Sequence, residues 1–414
     1  MKKRLLLVTN GFPYGESERG FLDEEVKILA KEFDLFILAL DDQEPLLYPL
    51  EGAKRVDQYQ IPSFRKSLGV SLLKELLAYS TLRELWDCWK HHNFHNISQI
   101  LTEILYFRFK MWVAKQKIRQ LVQAEGIDLV YTYWATGPAV ASCMLKKEFP
   151  GLKVVTRFHG MDLYQERTPI NWQPFRQEIV RHADGLCFAC EYGYRYFLEH
   201  WGAPYEDKMS IHYLGSTDRI NVNVAKKQPL QIISCSNLIP LKRVELIIEG
   251  LACLPDDMLV AWNIFGDGPL RAELESLARE KLGNHSNITW KFHGFVSNDM
   301  LADAYRKLEP QVFMTTSSTE GGAPVSIQEI FSMAIPAIGT TVGGIPDLIV
   351  DGETGFLMPQ NVTPDDVAKA IMRYADLSEE QVQRMSAAAR MRWAEKFDAV
   401  KNAEHFVEYL RNLA

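Results

Sequence analysis

The chain has 414 residues, a length at which two domains are the usual arrangement. With 47% hydrophobic and 24% charged residues, its composition is that of a globular protein and excludes a disordered or fibrous one. The net charge of −7 argues against general nucleic-acid binding, which needs a basic surface. The six cysteines are scattered, which fits a reducing compartment better than a disulfide framework.

The amino-terminal stretch "MKKRLLLVTNGF" combines basic residues with a short apolar run. This run is too short for the apolar region of a signal peptide, so we predict a buried strand followed by a glycine-containing loop. No stretch approaches the roughly 20 apolar residues of a membrane span. We therefore expect a cytoplasmic protein, soluble or peripheral at the cytoplasmic face of the membrane.

Short apolar runs alternate with amphipathic, helix-like stretches along the whole chain. The runs "DLFILAL", "DLVYTYW" and "KVVTRFHG" in the first half, and "QIISCSN", "LVAWNIFG" and "QVFMTT" in the second, are predicted strands. Strand–helix alternation with continuous apolar strands predicts parallel sheets that are covered on both faces. The predicted fold class is therefore α/β.

A polar stretch at 218–229, "STDRINVNVAKK" and onward, has no helical period and precedes a fresh apolar strand. We predict a linker there, between a first domain at 1–225 and a second at 226–395. Two doubly wound domains place their ligands at the carboxyl ends of the strands, so a cleft between the domains is expected.

One segment, at about 64–120, departs from the strand–helix alternation. It is helical in period, rich in aromatic residues, and carries ten Lys and Arg residues against four Asp and Glu. Basic amphipathic helices with Trp and Phe bind anionic membrane surfaces. The alternative is a helical insertion that packs on the first domain with its charges in solvent. The sequence favours neither.

The stretch "STEGGAPVSIQE" from Ser318 to Glu329 places a glycine pair and a proline directly before a helix-like segment. A helix that starts at Pro324 directs Glu329 roughly opposite to its buried face. The residues predicted for that buried face are Ile327, Ile330, Phe331 and Ala334. The glycines allow a ligand to approach the backbone, and a helix N-terminus attracts anions. The alternative is a glycine-rich loop before a surface helix.

The longer stretch "TEGGAPVSIQEIFSMAIPAIGTTVGGIPDLIVDGETGFLM" resembles the donor-site motif of family-4 retaining glycosyltransferases with the GT-B fold. In that family the second of two glutamates contacts the nucleotide ribose, and the first contacts the donor sugar. Glu329 matches the second. Glu320 lies nine residues before it, one more than the family's spacing. The resemblance also assigns the diphosphate to residues of this loop and helix start: Gly321, Gly322, Pro324, Val325 and Ser326.

Two further stretches of the second half resemble the same family. In "SCSNLIPLKRVELII", Lys242 matches a lysine that neutralises the donor diphosphate, while Asn237 stands where the family has an arginine. Arg243 follows Lys242 and could restore the charge. The turn in "WKFHGFVSNDML" resembles the nucleobase-binding turn, which assigns this role to Gly294, Phe295 and Val296. Asp267 in "FGDGPLRAEL" is interpreted as part of a structural turn.

In the first half, "RFHGMDLYQER" resembles the family's His-Gly-x-Asp element. The resemblance implies that His159 contacts the donor sugar near the reacting carbon. Asp162 lines the acceptor side or caps the next helix. Tyr133 and Trp134 follow another strand and either stack on a sugar or pack in the core. The loop after the first strand, with Gly15, is expected to touch the diphosphate or the acceptor.

No metal or cofactor is expected, because the sequence has neither the Asp-x-Asp motif of metal-dependent glycosyltransferases nor a P-loop. Cys187 and Cys190 have no second cysteine pair, which argues against zinc.

The resemblance implies two Rossmann-like domains that face a cleft, with residues 396–414 packing back on the first domain as a helix. It implies a retaining transferase that binds a nucleotide-sugar, most commonly a UDP-sugar, with GDP as the second choice. The insertion favours a lipid-linked or polysaccharide acceptor. Two alternatives stay open: a sugar-nucleotide epimerase and a non-catalytic scaffold protein.

Overall fold

The computed structural model describes residues 2–14, 18–40, 46, 52–59, 61, 70–219, 222 and 224–414. The chain divides into two compact units. The first comprises the residues up to His212 together with Ala403–Ala414, and the second comprises Tyr213–Asn402. No helix in the described part of the chain is both long and apolar enough to cross a membrane.

The described part of the first unit contains a parallel sheet of seven strands in the order β3-β2-β1-β4-β5-β6-β7. The strands are β1 (Arg4–Thr9), β2 (Asp34–Leu40), β3 (Ala53–Tyr59), β4 (Leu129–Thr132), β5 (Lys153–Phe158), β6 (Gly185–Phe188) and β7 (Met209–Ile211). The strand order reverses between β1 and β4, which makes the loops after these strands the expected place for a ligand.

The helices of the first unit include the predicted insertion. They are α1 (Arg19–Glu32), α2 (Val70–Leu76), α3 (Tyr79–His91), α4 (Ile97–Glu125), α5 (Gly137–Leu145), α6 (Arg176–His182) and α7 (Glu191–Phe197). Helices α2 to α4 form the insertion, and α4 buries Ile100, Ile104, Met111 and Ile118 at helical spacing. The prediction of a helical insertion is therefore confirmed, although residues 64–69 lie outside the described part.

The described part of the second unit contains a parallel sheet of six strands in the order β10-β9-β8-β11-β12-β13. The strands are β8 (Leu230–Cys235), β9 (Val260–Phe265), β10 (Ile288–Gly294), β11 (Val312–Met314), β12 (Ala337–Thr340) and β13 (Gly355–Met358). Here the order reverses between β8 and β11. Both sheets have the doubly wound topology predicted from the apolar strands.

The helices that begin in the second unit cover both faces of its sheet or follow its last strand. They are α8 (Val244–Ala252), α9 (Arg271–Leu282), α10 (Asn298–Leu308), α11 (Val325–Ser332), α12 (Ile345–Leu348), α13 (Pro364–Ala375), α14 (Glu379–Lys396) and α15 (Ala399–Leu413). The last turns of α15 belong to the first unit, where Phe406 packs on Tyr131 with 5.0 Å between ring centroids.

The polar stretch 218–229, expected as the linker, lies inside the second unit, which begins at Tyr213. Val222 and Val224 are buried in its core, and the Val222 N–H donates to the Met333 carbonyl at 2.9 Å. Nothing in the sequence indicates that this stretch belongs to the core, because the two valines alternate with polar residues. Such a stretch can bury one face without any helical period.

Candidate active site

The loops after β8 and β11 meet where the strand order of the second unit reverses. The Thr316 hydroxyl donates to the carbonyls of Lys242 at 3.0 Å and of Arg243 at 2.8 Å, and so binds the two loops together. This brings Lys242 Nζ to 2.5 Å from Glu320 Oε1, across 78 residues of sequence. The two side chains are 24% and 15% exposed, so a ligand at the loops can reach both.

Arg243, the residue after Lys242, makes its contacts inside the loops. Its guanidinium donates to the carbonyls of Thr316, Ser317 and Gln360 at 2.8 to 3.1 Å. Burial lowers the pKa of this guanidinium. Asn237, at the family's arginine position, is exposed. The structure therefore gives Arg243 a role in fastening the loops, and its contact with a diphosphate stays a prediction.

Helix α11 follows the glycine-rich loop and begins at Val325, with Pro324 as its N-cap residue. The predicted buried face is confirmed for all of its members: Ile327, Ile330, Phe331 and Ala334. A second glycine pair lies against the loop. A Cβ on Gly343, which has φ +52°, would overlap the Glu320 carbonyl, and one on Gly344 would overlap Gly322. Only glycine permits this approach.

Glu329 lies on α11 and pairs with a residue that the sequence analysis missed. Arg219 Nη2 lies 3.0 Å from Glu329 Oε1, and the two side chains are 17% and 13% exposed. Burial raises the pKa of Glu329, and Arg219 opposes this rise. Arg219 is separated from Glu329 by 110 residues and lies in the stretch that was predicted to be a linker. No local sequence pattern could have revealed it.

The turn after β10 carries the residues assigned to the nucleobase. Gly294 has φ +75°, and a Cβ there would press on the Arg271 guanidinium. Phe295 is 79% exposed, whereas Val296 packs partly against the core. Asp267 accepts from Arg271 at 2.7 Å and from the Gly268 N–H at 2.8 Å, as a structural turn requires.

In the first unit, the loops after β1 and β4 are joined by Glu18, which the sequence analysis did not single out. Its carboxylate is 2% exposed and accepts from the N–H groups of Gly11 at 2.7 Å and Phe12 at 2.8 Å. It also accepts from the Trp134 indole N–H. A lone acid in a glycine-containing loop has no recognisable pattern. Gly15, predicted in this loop, lies outside the described residues.

His159 follows β5 and lies against two aromatic rings. Its centroid is 4.5 Å from that of Tyr133 and 4.6 Å from that of Trp134. Its Nε2 is 2.8 Å from the Tyr133 carbonyl oxygen, which can only accept, so Nε2 carries the hydrogen. Burial lowers the pKa of His159 to about 4. The ring is therefore neutral at pH 7, with its lone pair on Nδ1.

The other residues singled out in the first unit take structural positions. Asp162 is buried and accepts from the N–H groups of His159 at 3.0 Å, Gly160 at 2.9 Å and Ala135 at 2.9 Å. These donors precede Asp162 or lie in another loop, and the helix at Gln165–Arg167 has no side-chain cap, so the capping interpretation is wrong. Contact of Asp162 with an acceptor stays a prediction. Tyr133 is fully buried, which favours core packing, whereas Trp134 is half-buried. Within the described ranges, no group of three or more His, Cys, Asp and Glu residues could hold a metal ion.

Comparison with known proteins agrees with this arrangement. Residues 216–392 match the family model of the group 1 glycosyl transferases. The match covers 177 of the 414 residues and lies within the second unit. This stretch includes Arg219, Lys242, Glu320 and Glu329.

Two curated relatives of this chain have names that refer to polysaccharides. The chain is 26% identical over 269 residues to the putative colanic acid biosynthesis glycosyltransferase WcaL of Salmonella typhimurium, covering 63% of this chain and 65% of that protein. It is 22% identical over 294 residues to the amylovoran biosynthesis glycosyltransferase AmsK of Erwinia amylovora, covering 69% and 70%. The chain thus spans just under two thirds of the length of WcaL.

Two solved structures share the fold of this chain at low identity. The lipopolysaccharide outer core galactosyltransferase WaaB, in its apo form, has a TM-score of 0.70 at 14% identity and covers 99% of both chains. Anabaena HepE in complex with UDP and glucose has a TM-score of 0.65 at 17% identity, also over 99% of both chains. The predicted GT-B fold is confirmed.

Proposed function

We propose that this protein is a retaining glycosyltransferase that moves a sugar from a nucleoside-diphosphate sugar to an acceptor hydroxyl. The main observation behind the proposal is the contact between Lys242 and Glu320. It lies where the strand order of the second sheet reverses, in the region that matches the group 1 glycosyl transferase model. A UDP-sugar is the preferred donor, and HepE has been solved with UDP and UDP-glucose. The names of WcaL and AmsK support an acceptor from surface-polysaccharide biosynthesis.

The charges of the second unit suit a departing diphosphate. Lys242 and the free N–H groups at the start of α11 offer positive charge where the leaving group gains negative charge. Lys242 is paired with Glu320 at 2.5 Å. A diphosphate would compete for Lys242, which frees the Glu320 carboxylate to accept hydrogen bonds from the donor sugar. Glu329 accepts from the ribose hydroxyls.

Retention requires the acceptor oxygen to attack the anomeric carbon from the face that the diphosphate leaves. The new bond joins the acceptor oxygen to that carbon, the bond to the diphosphate oxygen breaks, and the departing phosphate takes the acceptor proton. No side-chain nucleophile and no metal ion are needed. His159 is neutral at pH 7, so its Nδ1 accepts a hydrogen bond from a sugar hydroxyl and does not act as an acid.

The first test is a calorimetric titration of the protein with UDP, GDP and ADP. We expect one nucleotide to bind, and expect Lys242→Ala and Glu329→Ala each to weaken it by about tenfold or more, since each loses a charge-assisted hydrogen bond. Lys307→Ala is the matched control, because Lys307 is an exposed residue of α10. If no nucleotide binds to the wild-type protein, the donor site is absent and the proposal fails.

The two alternatives are separated by product analysis. A transferase consumes the donor only with an acceptor present, or hydrolyses it slowly to the free sugar. An epimerase would interconvert nucleotide-sugars without an acceptor. A scaffold would bind the nucleotide and turn nothing over. Anomeric NMR signals of the product report retention or inversion.

The proposed acceptor and location depend on the helical insertion, and here the structure changes the expected contacts. Arg108 is 1% exposed and pairs with Glu75, and Lys115 lies 3.6 Å from Glu75 and 3.8 Å from Glu148. Arg119 also pairs with Glu148. These cations therefore neutralise carboxylates within the first unit. For them neither the basic membrane-binding surface nor the alternative of charges in solvent holds.

The insertion instead exposes apolar side chains. Of the 18 large hydrophobic residues that are exposed in the described part of the chain, nine lie between positions 73 and 106. They lie on α2 to α4 and the connections between these helices: Leu73, Leu77, Tyr79, Leu82, Trp86, Phe94, Ile97, Leu101 and Tyr106. Exposed Lys74, Arg83 and Lys90 flank it. Aromatic and aliphatic side chains with basic neighbours suit the interface of an anionic bilayer.

Vesicle sedimentation tests this part of the proposal. We expect wild-type protein to sediment with phosphatidylglycerol vesicles, and the double variant Leu82→Ser/Trp86→Ser to remain largely in the supernatant. Met391→Ser is the control, since Met391 is an equally exposed apolar residue of the second unit. If the wild-type protein stays in the supernatant, the membrane is removed from the proposal. If all three proteins sediment equally, Leu82 and Trp86 do not make the contact. Neither result affects the transferase.

A further inference from the structure

Arg219 bridges two elements of the second unit. Its Nη2 lies 3.0 Å from Glu329 Oε1 on α11, and its Nη1 donates to the Asn298 carbonyl at 2.9 Å. Asn298 is the first residue of α10 and directly follows the turn at 294–297. One guanidinium therefore connects the turn assigned to the nucleobase with the carboxylate assigned to the ribose.

Stability alone does not explain this arrangement. A largely buried ion pair gains little net free energy, because the removal of two charges from water offsets their attraction. In addition, Arg219 Nε is buried and makes no hydrogen bond with any described residue. An unpaired buried donor costs free energy. The contacts of Arg219 are better explained by what they do to Glu329.

Arg219 leaves one oxygen of the Glu329 carboxylate available. Oε1 accepts from Arg219, whereas no residue within the described ranges donates to Oε2. A carboxylate that is held by one oxygen has a restricted orientation, and the second oxygen can accept hydrogen bonds from a ligand. A ribose presents two adjacent hydroxyls as donors.

We propose that Arg219 is a positioning residue for the nucleotide: it holds Glu329 charged and oriented so that Oε2 accepts from the ribose hydroxyls. This inference rests on the proposed function, which places a nucleotide at this site. Arg219 also adds a guanidinium to the proposed nucleotide site, whereas Asn237 stands at the family's arginine position.

The groups around Glu329 leave Arg219 as its counter-charge. Glu329 interacts electrostatically with Arg219, with Cys235 at the end of β8 and with Tyr305 on α10. Burial raises the pKa of Cys235 to about 11 and raises that of Tyr305 well above its usual value, so both are neutral at pH 7. Burial also raises the pKa of Glu329, and Arg219 is what opposes it. Without Arg219, the carboxyl group would take up a proton at a higher pH.

The test compares wild-type protein, Arg219→Gln, Arg219→Lys and the control Arg306→Gln, whose arginine pairs with Asp303 on α10. The ligands are the nucleoside diphosphate that binds best among UDP, GDP and ADP, and its 2′-deoxy counterpart, titrated calorimetrically between pH 5.5 and 8. For Arg219→Gln we expect the ribonucleotide affinity to fall by about tenfold or more at pH 7. The loss should grow as the pH falls, and the preference for the ribonucleotide over its deoxy form should shrink.

Arg219→Lys keeps the charge but loses the planar fork, so an intermediate affinity and a pH profile close to wild type are expected. A purely structural role would weaken both nucleotides equally at every pH, and that result would overturn the inference. So would an Arg219→Gln affinity within twofold of wild type. If the wild-type protein binds no nucleotide, the proposed function itself fails. If Lys242→Ala weakens binding and Arg219→Gln does not, only this inference fails.

Discussion

The two sheets reverse their strand order at equivalent places, but the acidic residues there are held in opposite ways. In the first unit, Glu18 is enclosed, and backbone N–H groups and the Trp134 indole occupy its oxygens. In the second unit, Glu320 and Glu329 remain partly exposed and are paired with side-chain cations, Lys242 and Arg219.

This difference indicates what each region can do. Backbone donors are fixed in place, so the Glu18 carboxylate is permanently satisfied and serves to hold two loops together. A side-chain cation can exchange one anion for another, so a phosphate can replace Glu320 on Lys242. Glu18 therefore stabilises the loops of the first region, whereas in the second region Lys242 can exchange Glu320 for an anionic ligand. Four substitutions, from the largest expected effect to the smallest, test this contrast.

Glu18→Ala removes the common acceptor of the first region. The buried N–H groups of Gly11 and Phe12 would lose their partner, and each unsatisfied donor costs about 1–3 kcal/mol. We expect the apparent free energy of unfolding of the first unit to fall by about 3 kcal/mol, as measured by urea denaturation. Glu24→Gln on α1 is the control, since among the described residues Glu24 pairs with the exposed Lys27 alone. A loss below about 0.5 kcal/mol would contradict the supporting role.

His159→Gln should change how the stability of the first unit depends on pH. The pKa of His159 is lowered from 6.5 to about 4, so the unfolded chain binds a proton that the folded chain does not. The free energy of unfolding of the wild-type protein therefore decreases as the pH falls from about 6.5 towards 4, because His159 binds a proton on unfolding. The variant has no histidine here and should not show this decrease. We expect the stability difference between the two proteins to change by about 1–2 kcal/mol over this range. Denaturant unfolding of both proteins at pH 7.5, 6 and 5 measures this difference. If it is the same at all three pH values, the prediction is wrong.

Lys242→Ala should affect binding and stability very differently. The ion pair with Glu320 is partly exposed, and such pairs contribute about 1 kcal/mol or less. The melting temperature should therefore change little, while the nucleotide affinity falls as described above. A large loss of stability would show that this pair is a support like Glu18, and the contrast between the two regions would disappear.

Asn237→Arg restores the family's arginine at an exposed position. The added charge should raise the affinity for a nucleoside diphosphate by only about threefold, because exposed charges are well screened. The gain should vanish in high salt. Calorimetry at two salt concentrations measures it, with Asn237→Gln as the uncharged control. A gain that persists at high salt would mean that the arginine makes a specific contact.

Much of the fold could be predicted from local patterns. The apolar runs gave the strands of both sheets, because parallel strands with helices on both faces must be apolar along their length. The period of Ile327, Ile330 and Phe331 predicted the buried face of α11, which in turn placed Glu329 away from the core. Family motifs identified Lys242 and Glu320 before their contact was visible.

The charges were predicted less well. The ten cations of the insertion looked like one basic surface, yet Arg108 and Lys115 are turned inward to Glu75. A helical period shows which residues share a face, but it does not show what lies opposite that face. For the same reason Arg219 could not be predicted, since Glu329 and Asn298 lie on other elements. The indole partner of Glu18, Trp134, likewise lies in another loop.

The sequence by itself determined the α/β class, the doubly wound sheets and the position of Lys242, Glu320 and Glu329 next to strand ends and a helix start, since each depends on residues close together in the chain. Only the tertiary structure decided which charges are paired. Arg219 reaches Glu329 across 110 residues, and Trp134 reaches Glu18 across 116. The free energy of such pairs depends on distance and burial, which the packing of the sheets and loops establishes.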